Sequence, residues 1–386
     1  MLKKNKQIRK IALITGTRAE FSYYHPIIKE IKKRSGLDYG IIATNTHVLE
    51  SFGHTIDYIK KEKFKIESAI YNTLDGYNRV TMAKSLSIFM LQLPELLEQM
   101  KADMVLVAGD RGEQLVAAIV GAHLYLPVAH IQAGELSGNI DGVARHAITK
   151  FSHIHFASNK DAADRIIRMG EEKKRVYLVG APQLDDLVNG PITPRAQVFK
   201  KFSWDVNKPC LLFVFHSVTE EYDHMAKYMD NIMSVIVELG YQTVIITNNS
   251  DAGSMIIRRK INEYRQPFMR ITDSVSRADY AGLMNSVDAI VGNSSSGILE
   301  APTFKLASVN IGNREAGRMQ GINVINSSYN KKDIKKAIMK AISPEFKVKL
   351  KKCVNPYGDG RSAKRIVDVL EKVRINEGLL VKKLTY

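Results

Sequence analysis

Short apolar runs alternate with amphipathic segments along this chain, and the pattern runs through twice. Strands feeding helices in that order build parallel sheets covered by helices on both faces. Ile11-Ala-Leu-Ile14 reads as a first strand, Thr15-Gly-Thr-Arg18 as a turn, and Phe21, Tyr24, Ile27, Ile28 and Ile31 as the apolar face of a helix. Further strands are predicted over 39–43, 104–108, 127–131, 153–157 and 176–179, with a long helix over 85–101. Leu187 to Arg195, with two prolines and a glycine, reads as a linker. The pattern then restarts, with strands over 211–215, 242–247, 288–291 and 306–310, helices over 222–239 and 280–286, and a basic helical tail from Lys331. The expected architecture is α/β, two Rossmann-like doubly wound domains over 1–185 and 186–365 with a helical tail over 366–386. In such a pair the cleft between the domains is the expected site.

The length of 386 residues suits about two such domains. With 45% hydrophobic and 25% charged residues the composition is that of a globular protein. Two cysteines, Cys210 and Cys353, stand far apart in no paired motif, which excludes a disulfide framework and points to a reducing, cytoplasmic setting. The basic start is followed by an apolar run, Ile11 to Ile14, too short for a secretory signal. No stretch approaches the ~20 apolar residues of a membrane span. Lys and Arg number 56 against 40 Asp and Glu, a net charge of +16 that is compatible with nucleic acid, a membrane surface or a small anionic ligand. Much of it lies in scattered lysines such as Lys60, Lys61, Lys63 and Lys65 or Lys347 to Lys352, which read as solvated surface. No nucleic-acid motif is recognised and Trp204 is the single tryptophan, so neither nucleic acid nor membrane is expected as a partner.

Residues just after strands are the ones such a fold presents to ligands. In the first half these include Arg18 and Glu20, His47, Asp110 and Arg111, and Glu135; in the second, His216 and Gly292-Asn-Ser294-Ser295-Ser296-Gly297, followed by Glu300. The serine-rich loop has the parts of an anion cradle, small residues and hydroxyls at a helix start, without the lysine of a triphosphate-binding loop. It reads equally as a helix cap with an extra serine turn. Arg18 can clamp a phosphate or stand as an ordinary surface arginine. His216 closes an apolar strand, facing a ligand or capping the structure. His123, His130, His146, His153 and His155 cluster in sequence without metal-ligand spacing, so no metal is expected. Asp110, Glu135 and Asp141 follow successive elements, and Asp141 and Arg145 share one helix face at i, i+4. They read either as acid–base groups or as a turn residue and a helix ion pair.

Together these residues resemble the hydrolysing UDP-N-acetylglucosamine 2-epimerases of sialic acid and capsule biosynthesis. The motifs are Thr15-Gly-Thr-Arg-Ala-Glu20, Gly109-Asp-Arg111, His130-Ile-Gln-Ala-Gly-Glu135, Ile140-Asp-Gly-Val-Ala-Arg-His-Ala-Ile-Thr-Lys150, Gly292-Asn-Ser-Ser-Ser-Gly-Ile-Leu-Glu300 and Asn310-Ile-Gly-Asn-Arg-Glu-Ala-Gly-Arg318. The resemblance implies the glycosyltransferase-B-like two-domain fold and loss of UDP from a UDP-2-acetamido sugar by elimination, then hydration of the glycal to a free mannosamine-type sugar. It implies that Arg18, His216, Ser294, Ser295 and Arg314 bind the diphosphate and that Glu300 holds the ribose. Asp110, Glu135, Asp141 and Arg145 fall where the sugar-handling and proton-transfer groups stand. Neither metal nor nicotinamide is implied, and a homo-oligomer, dimer or tetramer, is expected. Gln132 departs from the family, many members of which carry a carboxylate there, and an amide cannot act as the base. The proton acceptor is therefore sought at Asp141 or Glu135, with Asp110 positioning or protonating. The substrate is UDP-N-acetylglucosamine or, for legionaminic acid synthesis, UDP-N,N′-diacetylbacillosamine. A glycosyltransferase on the same scaffold, which needs an acceptor, is the remaining alternative.

Overall fold

Strands buried on both faces show unbroken apolar runs, and Ile11, Ala12, Leu13 and Ile14 have no exposed surface. A computed structural model describes residues 8–75, 79–136, 140–247, 254–272 and 275–385. Its contacts divide the chain into unit 1, Met1–Asp186 with Tyr357–Tyr386, and unit 2, Leu187–Pro356. Unit 1 is built on β1 (Arg9–Thr15), β2 (Leu37–Thr44), β3 (Ile66–Ile70), β4 (Met104–Ala108), β5 (Val128–Ile131), β6 (Ile154–Ala157) and β7 (Val176–Leu178). They pair in parallel in the order β3-β2-β1-β4-β5-β6-β7. Unit 2 has β8 (Cys210–Val214), β9 (Gln242–Ile246), β10 (Met269–Thr272), β11 (Ala289–Gly292), β12 (Ala307–Ile311) and β13 (Val324–Ser327), also parallel, ordered β10-β9-β8-β11-β12-β13. Each sheet reverses winding once, between β1 and β4 and between β8 and β11, which are the switch points where such sheets bind ligands.

Three strands escape the sequence reading, β3, β10 and β13, and all lie at sheet edges. An edge strand is covered on one side only, so its signal is a short half-exposed alternation like Ile66-Glu-Ser-Ala-Ile70 rather than an apolar run. The C-terminal segment also departs from the expected division. Residues from Tyr357 onward belong with unit 1, because the helix Ser362–Lys372 places Ile366, Val367 and Leu370 in the same core as Tyr24, Ile27 and Ile31 of the helix Arg18–Ile31. Arg34 fixes that contact with ion pairs to Asp368 and Glu371. Nor is the tail's charge all solvated surface. Lys382 Nζ donates to the carbonyls of Thr149, Lys150 and Ser152 at 3.1, 2.7 and 2.9 Å and pairs with Glu171 at 2.7 Å. A cation on the open carbonyls of a helix end is a favourable cap. The capped helix, Ile140–Phe151, carries Arg145 at its middle. Among the described residues no helix is long and apolar enough to cross a membrane.

Candidate active site

At the switch point of unit 1, β1 and β4 pair only through Ile11–Leu13 and Met104–Leu106, then part. Gln114, fully buried on the helix Gly112–His123, fills the gap. Its Oε1 accepts from the Ala108 N–H at 3.0 Å and its Nε2 donates to the Ile14 carbonyl at 2.9 Å, satisfying two backbone groups the sheet leaves open. Nothing in the sequence flagged Gln114; a polar residue one turn into an apolar helix was the available signal.

Asp110 follows β4 and is one-fifth exposed, and the guanidinium of Arg145, 4% exposed, donates to its carboxylate. Arg145 Nη1 donates to the Gln132 carbonyl at 2.9 Å. Gln132 takes a left-handed backbone, φ 56°, sparsely populated for a residue with a side chain and found at sites whose surroundings fix it. The turn thereby aims its carbonyl at Arg145. His130, whose pKa burial lowers to about 3, is neutral and hydrogen-bonds the Gly109 carbonyl at 2.7 Å, holding the residue before Asp110. Glu135, buried, accepts from the Ser158 hydroxyl at the end of β6. Asp141 stands in the first turn of the helix Ile140–Phe151, and its side chain lies outside the described residues. Arg145 thus pairs across elements to Asp110, a contact that the i, i+4 spacing did not reveal.

At the switch point of unit 2 the bridging amide is Asn293, fully buried. It accepts from the His216 N–H at 2.7 Å and donates to the His216 carbonyl at 2.8 Å, while its own carbonyl takes Arg314 Nη1 at 3.1 Å. One residue, through its side-chain amide and its backbone carbonyl, therefore holds the segments bearing His216, Ser294 and Arg314 together. Arg314 also pairs with buried Glu315 at 2.6 Å, as Arg318 does at 2.9 Å. Gly292 is required by the strands themselves, since at φ 139° a Cβ there would lie 2.0 Å from the Val214 carbonyl oxygen. Ser294 and Ser295 are half-buried before a helix of four residues, Ser296–Leu299. So short a helix has little dipole, and hydroxyls and loop N–H groups carry whatever anion affinity the loop has. Glu300 accepts from the Ser296 hydroxyl at 2.6 Å and lies 3.9 Å from Arg277.

Of the expected diphosphate set, His216, Ser294, Ser295 and Arg314 are gathered in unit 2, whereas Arg18 is an exposed residue of unit 1 beside the Tyr58 ring. Two of the clustered histidines have structural partners: His153 accepts from the Val128 N–H at 3.0 Å, and His155 bonds Glu171 at 3.0 Å. Among the described residues no three His, Cys, Asp or Glu side chains are grouped to hold a metal.

A family model described as UDP-N-acetylglucosamine 2-epimerase matches residues 29–371. The chain is 33% identical, over 98% of its length and 100% of the relative's, to the hydrolysing UDP-N,N′-diacetylbacillosamine 2-epimerase of Legionella pneumophila. It is 31% identical to the UDP-N-acetylglucosamine 2-epimerase of Neisseria meningitidis over 87% of this chain and 88% of that one. The fold is shared with the crystal structure of UDP-GlcNAc 2-epimerase from Neisseria meningitidis bound to UDP-GlcNAc, with TM-score 0.79, 20% identity and coverage of 94% and 100%.

Proposed function

The chain belongs to the UDP-N-acetylglucosamine 2-epimerase family and is an enzyme of that class, and from this premise we propose that it converts UDP-N-acetylglucosamine and water to UDP and free N-acetylmannosamine. What carries the reading is the furnishing of the two switch points, hydroxyls with a guanidinium in unit 2 and carboxylates with a guanidinium in unit 1. Ser294, Ser295, His216 and Arg314, with Arg18, bind the diphosphate, whose charge grows as it leaves; Glu300 binds the ribose. A carboxylate, Asp141 or Glu135, takes the proton from C2. The C2–H electron pair becomes the C1–C2 double bond as the C1–O bond breaks and its pair departs with UDP. Water then adds, hydroxyl to C1 and proton to C2 on the opposite face. Arg145 orients the Asp110 side chain beside these steps, where Asp110 positions the sugar or, as the acid, returns a proton. The setting is cytoplasmic, in sialic acid or capsule precursor synthesis, and the working form is a homo-oligomer.

A second substrate has a specific observation behind it. The Legionella relative, 33% identical over nearly the whole chain, is named for UDP-N,N′-diacetylbacillosamine, a precursor of legionaminic acid. Incubating the purified protein with each sugar nucleotide and following UDP release separates the two. The proposal expects release from UDP-N-acetylglucosamine; release from the diacetylated sugar alone selects the second reading, and release from neither overturns both.

A further inference from the structure

Glu20 follows the Thr15–Arg18 turn and the proposed chemistry does not use it. It is 4% exposed in the helix Arg18–Ile31. Its Oε2 accepts from the Gly16 N–H at 2.8 Å, and its Oε1, fully buried, has no hydrogen-bond partner among the described residues. A second buried carboxylate flanks the same glycine. Glu113, in the first turn of the helix Gly112–His123, lies so close that a Cβ on Gly16 would sit 3.6 Å from its Oε2. The Asn45 amide donates to Glu113, and Arg111 Nε stands 3.9 Å away.

Two buried carboxyls on one glycine repel each other when both are ionised, and a buried carboxyl oxygen that no donor reaches favours the protonated form. We propose that Glu20 is a positioning residue that holds the Gly16–Arg18 turn as a neutral acid. The groups facing it agree. On its own helix Tyr24 is buried and un-ionised. From the β2 end come neutral His47 and the Asn45 amide, and from the segment after β4 come Asp110, Arg111 and Glu113. Burial, then the charge of Glu113, pushes Glu20 up to about 8, against the Gly16 N–H and Arg111, which pull it down. A neutral Glu20 keeps a further negative charge away from the turn whose Arg18 is assigned to the diphosphate. The inference rests on that assignment.

The sign follows directly. Glu20 is protonated at neutral pH, and ionising it adds repulsion toward a diphosphate that is already fully charged above pH ~7. UDP affinity of the full-length protein, measured by calorimetry from pH 7 to 9, is expected to fall about tenfold in the wild type. Glu20→Gln, which keeps an acceptor for Gly16 and cannot ionise, should be flat over that range. Glu113→Gln removes the like charge, lowers the Glu20 pKa and shifts the fall to lower pH. A flat wild-type profile, or a fall that persists in Glu20→Gln, overturns the inference. Should Glu20→Gln not fold, carboxyl titration in the 13C-glutamate-labelled wild type decides: one glutamate titrating near pH 8 supports it, and all titrating below 6 overturns it. Absence of UDP binding at pH 7 would instead sink the assignment of the diphosphate set.

Discussion

At the switch point of unit 1 a buried glutamine, Gln114, ties the parting ends of β1 and β4, and at that of unit 2 a buried asparagine, Asn293, ties the ends of β8 and β11. The shared device answers a shared need: strands that diverge leave backbone donors and acceptors open in a buried place, and one primary amide supplies both. What the two ends present then differs. Unit 1 gathers carboxylates, mostly buried and each already held, Asp110 by Arg145, Glu135 by Ser158 and Glu113 by Asn45. Unit 2 gathers half-buried serines and Arg314, one-third exposed. Held acids suit proton transfer, which needs fixed geometry; hydroxyls and a reachable cation suit binding an anion from water.

The contrast predicts mutations that separate turnover from binding. Asp141→Asn, in unit 1, is expected to lower turnover by ~10³-fold, the scale of general acid–base catalysis. UDP affinity should stay within a few-fold. A matching collapse of UDP affinity, read by calorimetry, would put Asp141 on the nucleotide and erase the division. The amides come next. Gln114→Leu and Asn293→Leu each strip two backbone groups of their partner, buried for Gln114 and part-buried for Asn293, and should cost about 2–4 kcal/mol and somewhat less, respectively, in denaturant unfolding. Their functional effects should diverge, with Gln114→Leu lowering kcat and Asn293→Leu weakening UDP. Equal effects on UDP affinity would mean that the two ends do not divide the work. The smallest effect tests the exception, Arg18, which lies in unit 1 yet is assigned to the diphosphate. Arg18→Ala should weaken UDP binding by ~1–3 kcal/mol with kcat little changed, and unchanged affinity would return Arg18 to the surface.

Most of this was legible where local chemistry determines it. Ile11–Ile14 and 104–108 announced buried parallel strands, and the positions just after strands offered Arg18, Asp110, Glu135 and Ser294 as candidates. The expectations missed what depends on partners distant in sequence. Edge strand β3 shows no apolar run because one side lacks a neighbour. The tail reads as free basic helix until Lys382 is seen on the carbonyls of residues 149–152. The spacing of Arg145 points to Asp141, one turn away, and gives no sign of its pair with Asp110, 35 positions back. Gln114 and Asn293 carry no motif of their own, since any buried amide that reaches two open backbone groups would serve.

Elimination followed by hydration makes one demand that no other reading of this scaffold shares. The hydrogen at C2 of the product must come from solvent, and the sugar must leave as a free reducing sugar. Wild-type protein incubated with UDP-N-acetylglucosamine in deuterium oxide, with no acceptor present, should yield UDP and N-acetylmannosamine in equal amounts, with one deuterium at C2 by mass and NMR spectroscopy. UDP released with the C2 hydrogen retained, or an epimerised sugar still attached to UDP, would contradict the account.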